Sequence, residues 1–316
     1  AKMIRPSHRM PVSLDNPVWF HLGAWWLKEA TWEKALGKTE DLTCLVRGVQ
    51  YLQASGLGYA VEADRRRAFE NSGTFPWQFN EPYPMAASTS AVDYYGQPKP
   101  AYWAVARAYA PVHISARFER QAWDGFSAFK AGIWVSNSTG EMLKDAQMVA
   151  CLRDQNGTLI TSQEISFDVE PREDQFIEEI SQPIEERLSE LFFLELKLIR
   201  NGELIDENQY MFTRERDLSG IWRVHHTKIS ILKRVSGDQW ELAISNIGST
   251  MALFLWLEDG RSAGSAGGMY VSNNYFCLFP NETRTIQVDW VRVESSERAV
   301  KLSAFNIDQQ VLVEGR

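Results

Sequence analysis

The spacing of apolar residues along this chain changes near Val112, from a helical period to a period of two. Upstream, apolar residues recur every three or four positions between residues 41 and 71, which predicts an amphipathic helix with a capped start at residues 39–41. A short buried strand follows at residues 73–79, and Pro98 and Pro100 open a second helix that runs to Tyr109. The predicted order is helix, strand, loop, helix.

Downstream, apolar and polar residues alternate, as in half-buried strands. Leu194, Leu196 and Leu198 alternate with charged residues, and the same pattern runs from Trp240 to Ser245. Six more such runs, separated by turn dipeptides, are predicted at residues 128–135, 148–152, 159–167, 253–257, 283–288 and 300–305. Many short strands with regular turns are typical of a β-sandwich. Residues 113–316 suit two sandwiches, with a boundary near residues 214–220.

Composition excludes several classes of protein. The net charge of −8 disfavours nucleic acid as a partner, and no dense basic stripe overrides it. The three cysteines lie far apart, which argues against a disulfide framework and against zinc. We expect no metal and no cofactor. We also expect no membrane span, because no long apolar stretch is present. The start shows no secretory signal, which favours the cytoplasm without deciding the compartment.

Residues 73–96 contain the side chains that are best suited to contact a ligand. They place a tryptophan (Trp77), an amide (Asn80) and a carboxylate (Glu81) directly after the predicted strand, before a run of prolines. Tryptophan covers the apolar face of a sugar ring well, and the chain has 12 of them. The segment therefore predicts a carbohydrate-binding rim at the end of a strand.

Longer motifs extend this prediction to a family. They are Asn16-Pro-Val-Trp19, Gly23-Ala-Trp-Trp26, Tyr59-Ala-Val-Glu62, Trp77-Gln-Phe-Asn-Glu-Pro, Val92-Asp-Tyr-Tyr-Gly, Pro98-Lys-Pro-Ala-Tyr-Trp103, Ser272-Asn-Asn-Tyr-Phe276 and Leu278-Phe-Pro-Asn-Glu282. Together they resemble the C-terminal portion of glycoside hydrolase family 2, in the branch around the β-mannosidases. The resemblance covers essentially the whole chain.

The resemblance implies a multidomain fold: a mostly helical C-terminal remnant of a (β/α)8 barrel followed by two immunoglobulin-like antiparallel β-sandwiches. The implied domains are residues 1–112, from after barrel strand 7 through helix 8, then 113–216 and 217–316. A complete barrel takes roughly 200 or more residues, more than precede the sandwich region here. We therefore expect this chain to be part of a larger enzyme and to contact the N-terminal remainder of it.

The family resemblance also implies an activity. Family 2 enzymes are retaining glycosidases with one glutamate as acid/base and another as nucleophile, and the motifs that carry both are absent here. We expect no catalytic residue in this chain, which would be inactive alone. Its predicted substrate-binding residues are Trp77, Asn80, Glu81, His21, Trp25 and Trp26, and its predicted substrate is an oligosaccharide or glycoside.

Other interpretations remain open at this stage. Asn80-Glu81-Pro82 also resembles an acid/base motif, although the period-two strands that follow leave no room for further barrel units. Trp77 could be a structural plug only. Characterised β-mannosidases usually carry Asn-Asp where this chain has Asn80-Glu81, so β-galactosidase, β-glucuronidase and exo-β-glucosaminidase activities remain alternatives. The alternative from another class is a non-catalytic module that binds carbohydrate or braces a barrel.

Overall fold

The computed structural model describes residues 4–23, 29–39, 41–68, 70–184 and 188–314. Among these residues, four α-helices precede the strands: α1 (Pro17–Gly23), α2 (Glu29–Leu36), α3 (Leu42–Arg65) and α4 (Pro100–Ala108). The side chain of Asp41 caps α3 by accepting a hydrogen bond from the Cys44 amide at 2.7 Å. Pro100 stands in the first turn of α4, where no amide hydrogen is needed. Both predicted helices are confirmed. None of the described helices is long and apolar enough to cross a membrane.

The predicted fold class, with its mostly helical barrel remnant, is wrong. Strands make up 42% of the chain against 19% for helices, and all four sheets are antiparallel. Among the described residues before Val112 no strand forms, and residues 73–79 are irregular. Two isolated bridges lie nearby, a parallel one between Asn80 and Val92 and an antiparallel one between Val92 and Pro98. A lone barrel strand has no neighbours to satisfy its backbone groups, so an apolar run of this kind does not form a ladder by itself.

The first sandwich contains two facing antiparallel sheets, with strand orders β1-β2-β5 and β4-β3-β6-β7. Its strands are β1 (Val112–Arg117), β2 (Ala128–Asn137), β3 (Leu143–Asp154), β4 (Leu159–Val169), β5 (Glu173–Pro183), β6 (Leu191–Arg200) and β7 (Glu203–Thr213). Three phenylalanine rings, Phe129, Phe192 and Phe212, pack on one another at 4.8–5.6 Å in its core. Strand β5 lies at a sheet edge, where the exposed carboxylates of Glu173 and Glu179 discourage pairing with another chain.

The second sandwich repeats this arrangement with sheets ordered β12-β10-β14-β15 and β11-β13-β9-β8. Its strands are β8 (Ile229–Ser236), β9 (Gln239–Asn246), β10 (Ala252–Asp259), β11 (Gly268–Val271), β12 (Phe276–Leu278), β13 (Thr283–Val291), β14 (Ala299–Ser303) and β15 (Gln310–Val313). Trp240 and Trp290 meet edge to face at 5.3 Å in the core. The alternation predicted for β9 is confirmed, because Trp240, Leu242 and Ile244 are buried. The predicted domain limits at 112/113 and 216/217 stay predictions.

A third core joins the helices to both sandwiches, and we call it the junction core. It contains Leu36, Tyr51, Leu191, Phe193, Met211, Leu218, Ile221, Val224, Met251, Leu253, Cys277 and Phe279. Across it, the rings of Phe193 and Phe279 meet edge to face at 6.2 Å, and Tyr51 of α3 contacts Phe254 at 4.9 Å. Half-buried Arg107 of α4 donates to the carbonyls of Asn274 and Tyr275 at 2.9 and 3.1 Å. Helices α2 and α3 and the two sandwiches therefore share this apolar core.

Each sandwich ends an inner strand with a buried asparagine. The amide of Asn137, at the end of β2, donates to the carbonyls of Glu141 and Glu170. The amide of Asn246, at the end of β9, donates to the carbonyls of Thr250 and Leu278 at 2.8 and 2.9 Å, and its oxygen accepts from the Gly248 amide and the Thr227 hydroxyl. One side chain thus satisfies four groups of the following turn and of neighbouring segments.

We predict that Asn246→Ala lowers the free energy of unfolding by about 2–3 kcal/mol, because it leaves buried backbone groups without partners. Urea unfolding followed by tryptophan fluorescence measures this. Exposed Ser249 lies in the same turn, and Ser249→Ala should change stability by no more than about 0.5 kcal/mol. Equal effects of the two substitutions would contradict the assigned role of Asn246.

Candidate functional site

Residues 73–99 form a surface segment that we call the aromatic rim. Phe75, Trp77 and Phe79 stand at alternate positions and expose 91%, 69% and 67% of their surfaces. Tyr83 is also exposed, and the peptide bond between Trp77 and Gln78 is cis. Large apolar side chains grouped on a surface mark a site where something binds, since isolated ones are common but groups are not.

A buried ion pair holds this rim in place. The Glu81 carboxylate is 5% exposed and receives Lys99 Nζ at 2.6 Å, the Ser90 hydroxyl at 2.9 Å and the Tyr94 amide at 3.3 Å. Lys99 also donates to the Ser90 hydroxyl at 2.8 Å. The carboxylate therefore joins the start of the rim to its middle and its end, next to α4.

The charge state of Glu81 follows from these contacts. Burial alone would raise its pKa, but the hydrogen bonds from Lys99 and Ser90 and the charge of Lys99 outweigh burial and lower the pKa. A general acid at neutral pH needs a raised pKa. The contacts of Glu81 are those of an ionised carboxylate that fixes a loop.

The structure places the predicted site residues in different surroundings. Trp77 and Asn80 are exposed on the rim, whereas Glu81 points inward to its ion pair. His21 is exposed near the end of α1, and among the described residues no hydrogen bond or ion pair joins it to the rim. Trp25 and Trp26 lie outside the described residues. The substrate-binding role of all six residues stays a prediction.

A second polar cluster, which the sequence analysis missed, connects α3 to the first sandwich. His113 is 1% exposed and lies between two carboxylates, with Nδ1 2.8 Å from Asp206 and Nε2 3.2 Å from Glu62. Glu62 also accepts hydrogen bonds from the Asn208 amide and the Tyr210 hydroxyl, both at 2.8 Å. Burial alone would lower the pKa of His113, but the hydrogen bonds with Asp206 and Glu62 outweigh it and raise the pKa.

Next to this cluster, a cavity of about 330 Å³ opens between α3, α4 and the two sandwiches. We call it the junction cavity. Tyr51, Ser55, Tyr59 and Glu62 of α3 form one wall, since they lie on one face of the helix. Gly58 lies on that face, and a Cβ atom there would make an ordinary contact with the Ala104 side chain at 3.4 Å, so α4 packs directly against this part of α3. Among the described residues, no three His, Cys, Asp or Glu side chains gather in a way that could hold a metal ion.

Comparisons with known proteins agree with the predicted family. Residues 209–307 match the model of the exo-beta-D-glucosaminidase Ig-fold domain. β-Mannosidase B of Aspergillus niger is 35% identical over 106 residues, which are 31% of this chain and 12% of that protein. The exo-chitosanase CsxA of Amycolatopsis orientalis superimposes with a TM-score of 0.76 and 18% identity, over 91% of this chain and 36% of the other. The β-D-mannosidase of Dictyoglomus thermophilum gives 0.67 and 19%, over 88% and 31%.

The chain matches the C-terminal portion of glycoside hydrolases of family 2. The matched segment covers 12% of the length of the curated β-mannosidase, and the superimposed residues cover 36% of the exo-chitosanase. The structural matches are only 18% and 19% identical to this chain, so they show a shared fold and nothing further. In the sequence, Glu62, His113 and Asp206 lie far apart, and no local pattern signals that they meet.

We predict that Lys99→Met lowers the free energy of unfolding by about 2–4 kcal/mol, because it leaves the buried carboxylate of Glu81 without its cationic partner. Chemical denaturation compares it with Lys130→Met, which breaks the exposed pair of Lys130 with Glu179 and should cost no more than about 1 kcal/mol. If Lys99→Met is as mild as the control, Glu81 does not depend on this pair.

We further predict a pH dependence from His113. Its folded-state pKa lies above the ordinary value of 6.5, so its contribution is fully present below that value and is lost as pH rises through the folded pKa. The stability difference between the wild type and His113→Gln should therefore be larger near about pH 6 than near about pH 9. Exposed His226 provides the control His226→Gln, which should change the free energy of unfolding by no more than about 0.5 kcal/mol. A difference that does not vary with pH would contradict the assignment.

Proposed function

We propose that this chain is the C-terminal region of a retaining exo-β-glycosidase, most like a β-mannosidase, that hydrolyses a terminal β-linked sugar. The observation that carries the proposal is the exposed aromatic rim fixed by a buried ion pair. The family match supports a glycosidase as the parent protein. The identity of the sugar and of the linkage that is cleaved are part of this proposal.

The rim suits one wall of a sugar pocket. An exposed indole such as Trp77 offers a flat apolar face to the C–H groups of a pyranose, and Asn80 offers both a donor and an acceptor to its hydroxyls. We propose that Trp77 and Asn80 contact the sugar, that Glu81 takes part in the same wall, and that His21, Trp25 and Trp26 line the pocket as well. A rigid support keeps such contacts in position, and the Lys99–Glu81 pair provides one.

We propose that both catalytic glutamates lie in other parts of the parent enzyme. Retention needs two carboxyl groups about 5–5.5 Å apart, one of them protonated. On the rim, Glu81 is held ionised by Lys99, and Asp93 accepts hydrogen bonds from the amides of Tyr95 and Gln97. These carboxylates have structural partners, so they fit the catalytic roles poorly.

A second candidate is a non-catalytic module that binds carbohydrate or braces the rest of the enzyme. The junction core favours bracing, because it fixes the helices to both sandwiches through buried side chains such as Tyr51, Phe193 and Phe279. A large apolar interface of this kind restricts domain motion. Bracing and a contribution to the sugar pocket are compatible roles.

An activity assay tests whether this chain lacks catalytic activity of its own. The 316-residue chain, incubated with 4-nitrophenyl β-D-mannoside, β-D-galactoside and β-D-glucosaminide, should release no nitrophenol above the buffer blank. Turnover that is abolished by Glu81→Gln would show that the chain carries its own catalysis, and the proposal would fail.

In the longer enzyme that carries this region, we predict that Trp77→Ala lowers kcat/KM by about tenfold to hundredfold, since a buried apolar contact with the sugar is lost. Steady-state kinetics measure the effect, and circular dichroism checks the fold. The control is Tyr270→Ala, which removes an equally exposed aromatic side chain from β11 and should leave kcat/KM unchanged. An unchanged kcat/KM in Trp77→Ala would leave Trp77 with a structural role only.

A further inference from the structure

The polar cluster between α3 and the first sandwich brings one histidine into direct contact with two acidic residues. His113 of β1 has Nδ1 2.8 Å from Asp206 of β7 and Nε2 3.2 Å from Glu62 of α3. We call these three residues, with Asn208 and Tyr210 of β7, the His113 cluster. It connects the helical region to the sandwich through charged groups that are largely shielded from water.

The hydrogen bonds of this cluster indicate that Glu62 is ionised. The Tyr210 oxygen accepts from the Ala116 amide at 2.9 Å and from the Asn208 amide at 2.7 Å, so the Tyr210 hydrogen is left for Glu62 Oε2, which lies at 2.8 Å. Glu62 Oε1 accepts from the Asn208 amide at 2.8 Å. Both oxygens of Glu62 therefore act as acceptors, as in an ionised carboxylate.

His113 then has to donate from both of its ring nitrogens. Asp206 Oδ2 accepts from the Ile114 amide at 2.8 Å and also faces Nδ1, while Nε2 faces the ionised Glu62. Asn208 lies farther from Nε2, at 3.4 Å, and its amide already donates to Glu62. Only the imidazolium carries a hydrogen on each nitrogen, so it is the form of His113 that satisfies both carboxylates at once.

Loss of one proton makes the contact between α3 and β1 unfavourable. A neutral imidazole that keeps its hydrogen bond to Asp206 presents the Nε2 lone pair to Glu62 at 3.2 Å. Glu62 then depends on Arg66, whose nearest nitrogen is 4.0 Å away. Burial lowers the pKa of His113, but the hydrogen bonds with Asp206 and Glu62 outweigh it, so the pKa lies above 6.5 and the proton is lost as pH rises through it.

The charged and titratable groups around His113 come from three elements. They are Glu62, Arg65 and Arg66 at the end of α3, Asp206 and Tyr210 of β7, and Asp174 of β5, which Ser136 separates from His113 across the sheet. Burial raises the pKa of Tyr210 well above its usual value, so Tyr210 keeps its proton. Arginine remains charged at any pH at which the protein is folded. His113 is thus the cation of this set that loses its charge first as pH rises.

The same end of α3 carries the contacts that position α4. Arg65 donates to the carbonyl groups at and just after the end of α4, and Arg66 donates to the Ser115 hydroxyl of β1 at 3.0 Å. The N-terminal half of α3 is held separately, because Tyr51 is buried in the junction core. A change at Glu62 therefore acts on the C-terminal half of α3 and on α4.

We propose that the His113 cluster is a pH-sensitive switch: protonated His113 fastens the C-terminal half of α3, and α4 with it, to the first sandwich, and neutral His113 releases them. The release is local, and both sandwiches stay folded. Lys99, which holds the aromatic rim through Glu81, directly precedes α4, so the rim loses part of its support in the released state. This inference does not depend on the activity of the parent enzyme.

Hydrogen–deuterium exchange of the 316-residue chain at about pH 6 and about pH 9, corrected for the pH dependence of chemical exchange, tests the proposal. Amides at 55–65 and 100–108 should lose about tenfold or more of their protection at the higher pH, because one pKa unit corresponds to a tenfold change in an equilibrium constant. Amides of β9 and β13 in the second sandwich should keep theirs. An equal loss in both regions, or no loss in the helices, would overturn the proposal.

Two variants assign the change to His113. His113→Gln removes the titratable group, so the two helical segments should be weakly protected at both pH values. Glu62→Gln supplies an amide that can donate to neutral imidazole, so their protection should not fall at the higher pH. Exposed His226 gives the control His226→Gln, which should behave as the wild type does. A wild-type fall in protection in either His113→Gln or Glu62→Gln would overturn the assignment.

Discussion

The arrangement of this protein depends on how α3 is fixed between the two sandwiches. One end of the helix contributes Glu62, a buried carboxylate that is stabilised by His113, Asn208 and Tyr210 and by Arg66 at 4.0 Å. Toward its other end, Tyr51 enters the junction core beside Phe254. Polar and apolar contacts thus act on the same element, so the helix can neither slide nor rotate without exposing a charge or an aromatic ring.

Helix α4 and the aromatic rim are positioned by contacts that begin at that helix. Arg65 at its end donates to the carbonyls of Ala108 and Ala110 at 2.6 and 2.7 Å, which fixes the end of α4. Lys99, next to the start of α4, then holds Glu81 and with it the aromatic rim. A surface that presents Trp77 to solvent therefore rests on a chain of buried contacts that reaches the first sandwich. The proposed sugar wall and the proposed bracing role use one set of interactions.

In the two sandwiches, similar local sequences form similar hydrogen-bonded turns. Each ends an inner strand with Ser-Asn, at Asn137 and at Asn246, and each buries the amide against carbonyls of the following turn. The differences lie where the sandwiches face the helices. There, Phe254 and Tyr275 adopt left-handed backbone angles, and the junction cavity opens between them and α3. Regular cores provide the stability that permits such strained positions.

By itself the sequence determined the elements whose periodicity is strong. The helices at α3 and α4 and the alternating strands such as β9 follow from residue spacing, because one face of each is buried whatever packs against it. Shared motifs likewise identified the family. Only the tertiary structure decided that residues 73–79 form no strand, that Glu81 faces Lys99, and that Glu62 meets His113. These outcomes depend on partners distant in the chain, and no local pattern encodes which buried charge will find which partner.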